Sequence, residues 1–146
     1  MTVSLTLSNL GGDEYRSKNI RCLKFNQNNE SFAFAMKINK YLPSYSKIHV
    51  YCKDNKNNFE FDYELIECKE LITDLDYSPC GNYLAFACTD TFIVNIYSVD
   101  KLNTSTFKTQ VAKLTGHNDF INSVRFSPSG YFIVTGSKDK FIFVYA

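Results

Sequence analysis

The strongest constraint in this 146-residue sequence is an internal repeat. The turn segment Ser78-Pro79-Cys80-Gly81 returns 49 residues later as Ser127-Pro128-Ser129-Gly130. Four of the six glycines and two of the three prolines lie in the two copies, which makes a chance match improbable. The apolar positions before the turns match in the same register: Ile72 with Ile121, Leu75 with Val124, and Tyr77 with Phe126. Self-similarity at a fixed period predicts a repeat architecture in which each copy is one supersecondary unit.

The two copies stay aligned beyond this first turn. Asp139 follows Asp90 by the same 49 residues. Tyr145 follows Tyr97 by only 48, so the first copy holds one extra residue just after Asp90. Proline sets φ near −65° and glycine permits positive φ, so each copy predicts strand, turn, strand, turn, strand. The turn residues of this repeat are Pro79, Gly81, Asp90, Pro128 and Gly130.

A third, weaker copy lies upstream. In place of Ser-Pro-x-Gly it has the turn Asn26–Glu30. An insertion, Lys37–Lys47, is expected to widen the loop before its third strand. Its strand positions are Ile20, Leu23 and Phe25, then Phe32–Ala35, then Ile48–Tyr51.

Period-2 alternation of apolar and polar residues recurs along the chain and is typical of half-buried strands. Between the copies it predicts two further strands, Asn58–Glu67 and Phe107–Leu114, as the outer strands of their units. The N-terminal Val3–Leu7 is a candidate for one missing outer strand. Regularly spaced short strands predict an all-β sandwich, barrel or propeller, and the internal repeat favours the propeller.

Composition excludes several classes of function. The chain has 16 basic against 15 acidic residues and no basic block, so we expect no nucleic-acid partner. The longest apolar runs are far shorter than the roughly 20 residues of a membrane helix, and Met1–Leu7 lacks the pattern of a signal peptide. The five scattered cysteines are expected to be small buried hydrophobes in a reducing compartment. We therefore expect an intracellular protein, cytoplasmic or cytoskeletal, without a membrane partner.

The sequence predicts no catalytic residue, metal ligand or cofactor. His49 and His117 are the only histidines, and no Cys/His cluster has zinc spacing. No nucleophile motif accompanies His117, which favours a structural hydrogen-bond donor. Single turn aspartates such as Asp90 and Asp139 more often accept bonds from backbone amides than bind metal. An enzyme would need two or more titratable groups gathered around either histidine.

Two further groups of side chains have a plain and a functional interpretation. Glu60, Asp62 and Glu64 alternate along one strand and are expected on a solvated face. Exposed aromatic residues anchor many protein interfaces, although ordinary rim or core positions explain them equally well. The aromatic candidates are Tyr41, Tyr45 and Phe120.

The repeat resembles the WD40 family. Leu114-Thr115-Gly116-His117 matches the Gly-His that opens such a repeat, and Ser127–Asp139 matches its middle. Phe141–Tyr145 matches its last strand, with Tyr145 where the family usually has Trp. The resemblance covers about residues 20–146, strongly in the last copy and weakly in the first. It implies a partial WD40-type β-propeller of about three four-stranded antiparallel blades, the last incomplete.

The family also has a structural hydrogen-bond network, and its residues carry over to the last copy. His117 would reach Asp139 in the tight turn, and Thr135 would link to the last-strand aromatic residue. Tyr145 replaces Trp there with a hydroxyl that is also a donor.

The middle copy departs from that network. It keeps Asp90 and Tyr97, but Glu67-Cys68 stands where Gly-His is expected and Phe86 replaces Thr135. We therefore expect packing, and not the network, to hold this blade.

A narrower likeness concerns Asp90–Val99 and Gly116–Ile121, which are similar to the echinoderm microtubule-associated-protein-like family. The trimerising helix and HELP segment of that family are not visible in the sequence. This likeness would imply association with microtubules or tubulin.

Propeller blades take about 40–45 residues, and closed rings have 4–8 of them. The single repeat domain, residues 1–146, supplies three blade copies at about 15–67, 70–114 and 116–146. Three outcomes stay open: a fragment of a longer propeller, an incomplete gene model, or a chain that completes its ring with another chain. The expected function is a non-catalytic scaffold that binds other proteins or the remaining blades of the propeller. The alternatives are a cytoskeletal binder and an enzyme.

Overall fold

The computed structural model describes residues 18–39 and 44–146. In these ranges none of the elements is a helix of membrane-spanning length and apolarity. The strands are β1 (Lys18–Phe25), β2 (Ser31–Ile38), β3 (Tyr45–Lys53), β4 (Phe59–Cys68), β5 (Ile72–Tyr77), β6 (Tyr83–Cys88), β7 (Val94–Ser98), β8 (Gln110–Leu114), β9 (Ile121–Phe126), β10 (Ile133–Ser137) and β11 (Ile142–Tyr145).

The strands form three antiparallel sheets in which each strand pairs with its neighbour in sequence. The first sheet is β1-β2-β3-β4, the second is β5-β6-β7-β8, and the third contains β9-β10-β11. Short turns between neighbours make this meander possible. The expected all-β, partial propeller of about three blades is confirmed, with three strands in the last sheet.

The second strand of each sheet alternates large and small side chains. Because successive strand residues point to opposite faces, each sheet has a bulky front face and a smaller rear face. In the second sheet, Leu84 and Phe86 lie on the front and Ala85 and Ala87 on the rear. The corresponding runs are Phe32–Ala35, Leu84–Ala87 and Ile133–Gly136.

Two clusters of the core are junctions between sheets, each formed by a front face and the preceding rear face, and a third cluster of Phe34, Met36, Ile38 and Tyr51 lies on the first sheet. At the first junction, Leu75 and Phe86 join Ala33 and Ile48 in one buried cluster. Each fully buried Leu or Ile side chain contributes about 1.5–3 kcal/mol. The second junction packs Ile121, Val124 and Ile133 against Ala85, Ala87 and Val94.

The first strand of every sheet has a shift in its pairing register at the equivalent position. It lies between Ile20 and Cys22 in β1, and between Ile72 and Asp74 in β5. In β9 the partners shift between Ser123 and Ile121. Such an irregularity bends a strand and increases its twist, and its repetition shows that the three copies share one backbone plan.

Some sequence expectations need correction. The Lys37–Lys47 insertion has strand residues at both of its ends, because β2 runs to Ile38 and β3 begins at Tyr45. The outer strand expected from Phe107 begins only at Gln110. The proposed Val3–Leu7 strand and the candidate anchor Tyr41 lie outside the described residues.

Candidate functional site

His117 lies at the centre of a buried hydrogen-bond chain in the third sheet. Its Nδ1 lies 2.7 Å from Asp139 Oδ2, and its Nε2 lies 2.7 Å from the Thr135 hydroxyl. A carboxylate only accepts, so Nδ1–H is the donor to Asp139, and in the neutral ring Nε2 accepts from Thr135. His117 and Thr135 are 6% and 1% exposed, so neither has water as an alternative partner.

Asp139 ties the turn after β10 to the segment that precedes β9. Its carboxylate accepts from the amides of Asn118 at 3.0 Å and Phe141 at 2.9 Å, besides His117. Desolvation alone raises the pKa of Asp139, but the Phe141 and Asn118 amides and the His117 ring outweigh it and lower that pKa to about 2. The carboxylate is therefore ionised under any physiological condition.

Two aromatic residues of β11 complete this site. The Phe143 ring stacks on His117 with 4.3 Å between ring centroids. The Tyr145 hydroxyl donates to the Thr115 carbonyl at 3.2 Å. Burial raises the pKa of Tyr145, and a hydrogen bond with Thr135 partly offsets this effect. β11 is thus attached to the β8–β9 connection as well as to its neighbour β10.

The second sheet has a different arrangement at the equivalent positions. Cys68 stands where the third sheet has His117, and its thiol donates to the Glu70 carbonyl at 3.2 Å. Phe86, at the Thr135 position, is 1% exposed and packs 5.4 Å from the Tyr97 ring. Aromatic packing therefore occupies the space in which the third sheet has polar bonds.

The two Ser-Pro-x-Gly turns have the same geometry. Gly81 and Gly130 have φ of 78° and 77°, and each amide donates to the serine carbonyl three residues earlier. In the first sheet, Asn29 occupies the same position with φ of 58° and donates to the Asn26 carbonyl at 2.9 Å. Asn tolerates this left-handed conformation better than most residues, which explains how the weak copy keeps the turn.

The sequence did not indicate a row of polar bonds between the second and third sheets. Asp74 accepts from the Val124 amide at 3.0 Å and forms an ion pair with Arg125. Asp76 accepts from the Phe126 amide at 2.9 Å. The two β5 carboxylates thus accept hydrogen bonds from backbone amides along the edge of β9 that does not pair with β10. The sequence indicates these bonds only through the acidic residues that alternate with the apolar residues of β5.

A patch of two aromatic rings and one lysine lies where the second and third sheets meet. This patch, called the rim, consists of Phe92, Phe120 and Lys138. The rings of Phe92 and Phe120 lie 5.7 Å apart, edge to face, and Lys138 Nζ lies 4.8 Å from the Phe120 ring centre. Phe92 has φ of 54°, an unusual conformation for a bulky residue. The extra residue just after Asp90, Thr91, is held by hydrogen bonds to Glu70.

Other charged residues of the first sheet are engaged in ion pairs. Glu64 lies 2.9 Å from Lys47 Nζ and 3.2 Å from His49 Nε2. Burial raises the pKa of Glu64, but Lys47 and His49 together outweigh this effect and lower it. Asp62 pairs with Lys101, so of the three carboxylates expected on a solvated face only Glu60 is exposed. Among the described residues, no group of three or more His, Cys, Asp or Glu side chains could hold a metal ion.

A comparison with protein-family models finds a match to "WD domain, G-beta repeat" over residues 108–145. This segment contains β8 of the second sheet and all three strands of the third. The matched segment is therefore offset by one strand from the sheet in the structure.

Similar proteins occur in several fungi. Protein hir1 of Aspergillus terreus is 32% identical over 88 residues, which cover 58% of this chain and 8% of that protein. Protein HIR1 of Coccidioides immitis is 33% identical over 90 residues, with the same coverage. The chain thus spans only about 8% of the length of these relatives.

Proposed function

We propose that this chain, which belongs to the WD40-repeat family, is a protein-interaction scaffold that binds its partner at the rim. WD40 repeats generally mediate contacts between proteins and are generally non-catalytic. The observation that carries the proposal is the aromatic pair Phe92–Phe120 with Lys138 above it. Aromatic side chains supply a large contact area and are enriched among the residues that dominate binding energy.

The backbone around the rim supports this role. A left-handed conformation at a bulky residue costs on the order of 1–2 kcal/mol, and such strain clusters at functional positions. Phe92 has this conformation and places its ring against Phe120. The neighbouring His117–Asp139 bond fixes the turn that carries Lys138. A partner would thus meet a preorganised surface, which lowers the entropy lost on binding.

Affinity capture with matched variants tests this function. A double variant, Phe92→Ser with Phe120→Ser, should lose partners that the natural chain retains. Leu102→Ser is the control, because Leu102 is a 96% exposed apolar side chain in the β7–β8 loop, away from the rim. Circular dichroism establishes that both variants keep their strands. An unchanged set of partners in the double variant would exclude the rim as the binding surface.

Tubulin is the narrower alternative partner. It is supported by the similarity of Asp90–Val99 and Gly116–Ile121 to a microtubule-associated family. These segments contain the rim residues Phe92 and Phe120, so the same double variant serves in a co-sedimentation assay with polymerised tubulin. No pelleting of the natural chain would exclude this alternative. The five free cysteines fit a reducing cytoplasmic compartment, which we propose as the site of action.

A further inference from the structure

Two cysteines meet at the junction between the first and second sheets. Cys68 is the last residue of β4 in the first sheet, and Cys88 is the last residue of β6 in the second. Both side chains pack in the apolar cluster of this junction, where Cys88 is buried and Cys68 is partly buried. Their thiols are hydrogen-bonded to each other. The junction therefore brings together two sulfur atoms that belong to different sheets.

The two thiols lie in the middle of a chain of hydrogen bonds. The Asn95 side-chain amide donates to Cys88 Sγ at 3.3 Å, and the Cys88 thiol donates to Cys68 Sγ. The Cys68 thiol in turn donates to the Glu70 carbonyl at 3.2 Å. Sulfur atoms held side by side can be joined with little movement of the backbone, which is the condition for a disulfide.

This pair of thiols is particular to one junction of the molecule. At the 49-residue shift of the repeat, Cys68 aligns with His117 and Cys88 aligns with Ser137. The third sheet thus forms with no sulfur at either position. The repeat architecture alone does not account for the two thiols.

The thiol of Cys68 differs chemically from the other buried thiols. The hydrogen bond from Cys88 lowers the pKa of Cys68, although burial opposes this effect, and the same bond together with burial raises the pKa of Cys88. Burial raises the pKa of Cys22 to about 12 and that of Cys52 to about 11. Because the thiolate is the reactive form of cysteine, Cys68 is the attacking thiol of the pair.

We propose that Cys68 and Cys88 form an oxidation site at which hydrogen peroxide joins them in a reversible disulfide. This role goes beyond partner binding at the rim and does not depend on it. Disulfides in the cytosol are mostly transient and serve catalysis or redox sensing, so the site is compatible with a reducing compartment. The bond would link the first and second sheets covalently.

The reaction has two steps. The Cys68 thiolate attacks one oxygen of the peroxide, the O–O bond breaks, and the departing hydroxide takes up a proton and leaves as water. Cys68 is now a sulfenic acid. The Cys88 sulfur attacks the Cys68 sulfur and gives up its proton, the S–O bond breaks, and a second water leaves. The two thiols together lose two electrons and two protons, and the peroxide is reduced to two waters.

Peptide mapping of the 146-residue chain tests the proposal. The protein is treated with hydrogen peroxide, its remaining thiols are alkylated, and it is digested with trypsin without reduction. Cleavage after Lys69 separates Cys68 from Cys88, so the disulfide should appear as two linked peptides that dithiothreitol releases. Cys88→Ser should abolish the linked pair, and Cys80→Ser should retain it. Cys80 is the matched control because it is exposed and lies on the same tryptic peptide as Cys88.

Trapping of the sulfenic acid separates the two steps. In Cys88→Ser the oxidised Cys68 has no adjacent thiol, so dimedone should label it several-fold more than in the natural chain. Circular dichroism establishes that each variant keeps its strands. A natural chain that forms no linked pair under peroxide that oxidises Cys80 would overturn the proposal. So would a linked pair that persists in Cys88→Ser, which would assign the bond to Cys80.

Discussion

His117 Nε2 and the Thr135 hydroxyl lie 2.7 Å apart, in a part of the third sheet closed to water. Thr135→Val removes this hydroxyl while keeping the shape of the side chain. A buried nitrogen left without its partner costs about 1–3 kcal/mol. We expect the free energy of unfolding to fall by that amount in a urea titration. The dependence of this free energy on urea concentration should stay unchanged. Thr104→Val, at an exposed loop position, should change stability by less than about 0.5 kcal/mol.

The pH dependence of stability should reflect Asp139. Its folded-state pKa of about 2 lies below the unfolded value of about 3.9. The ionised carboxylate therefore contributes stability that is fully present above pH of about 4 and is lost as pH falls through about 2. Asp139→Asn should be destabilising at neutral pH, and its difference from the natural chain should shrink as pH falls.

Thermal melts at several pH values measure this effect. Asp90→Asn is the matched control at neutral pH, because Asp90 accepts only from the adjacent Thr89 hydroxyl among the described hydrogen bonds. It should shift the melting temperature little. A gap between Asp139→Asn and the natural chain that stays constant from neutral to acid pH would contradict the assigned role.

Two glycine substitutions in the third sheet should act in opposite directions. Gly136→Ala adds a methyl group in open space within a strand and should stabilise the chain by about 0.4–1 kcal/mol, because it restricts the unfolded state. Gly116 has φ of 135°, and an added Cβ would lie 3.0 Å from the Phe143 ring. Gly116→Ala should therefore be destabilising. Parallel urea titrations compare the two, and equal effects would be inconsistent with the geometry.

The repeated turns allow a comparison at one backbone conformation. Gly81→Ala and Gly130→Ala both force a side chain into positive φ, at a cost of about 1–2 kcal/mol each. At Gly81 the new Cβ would also lie 2.5 Å from Asn26 Oδ1 and displace the bond from Asn26 to the Gly81 carbonyl. Gly81→Ala should thus lower the melting temperature more. Asn29→Gly should be tolerated, and a large loss there would contradict the shared turn geometry.

The junction between the second and third sheets depends on Asp74. Asp74→Ala leaves the Val124 amide without an acceptor, which costs about 1–3 kcal/mol. Hydrogen exchange should show faster opening of β9 than of β6, since β9 loses a bond along its inner edge. Equal protection of both strands would show that apolar packing alone holds the junction.

The order of strands could be predicted because a strand that is ambiguous in one copy of the repeat can be identified from its counterpart in another copy. Ile72, Leu75 and Tyr77 matched their counterparts, so the strands were placed even where single runs were short. The resemblance to the WD40 family, and not the internal repeat, predicted the contact between His117 and Asp139.

Other features depended on contacts that a single repeat does not encode. The bonds from Asp74 and Asp76 join residues 50 apart in sequence, and they form only when two sheets pack. The two strands of the β2–β3 hairpin were predicted, but their extension to Ile38 and Tyr45 was not, because Lys37–Lys47 lacks a clear alternation. The left-handed conformation of Phe92 recurs at Lys140, its counterpart in the third sheet with φ of 74°, and the residue types at these positions give no signal of it.

The one-strand offset between the matched segment, residues 108–145, and the third sheet has a consequence for how such a chain grows. A duplicated segment of this kind would donate its first strand to the sheet already present and found a new sheet with the other three. Every added segment would therefore span two sheets, and such a segment could not detach without separating its first strand from the sheet before it. Lengthening by duplication would leave an unfinished sheet at the growing end each time.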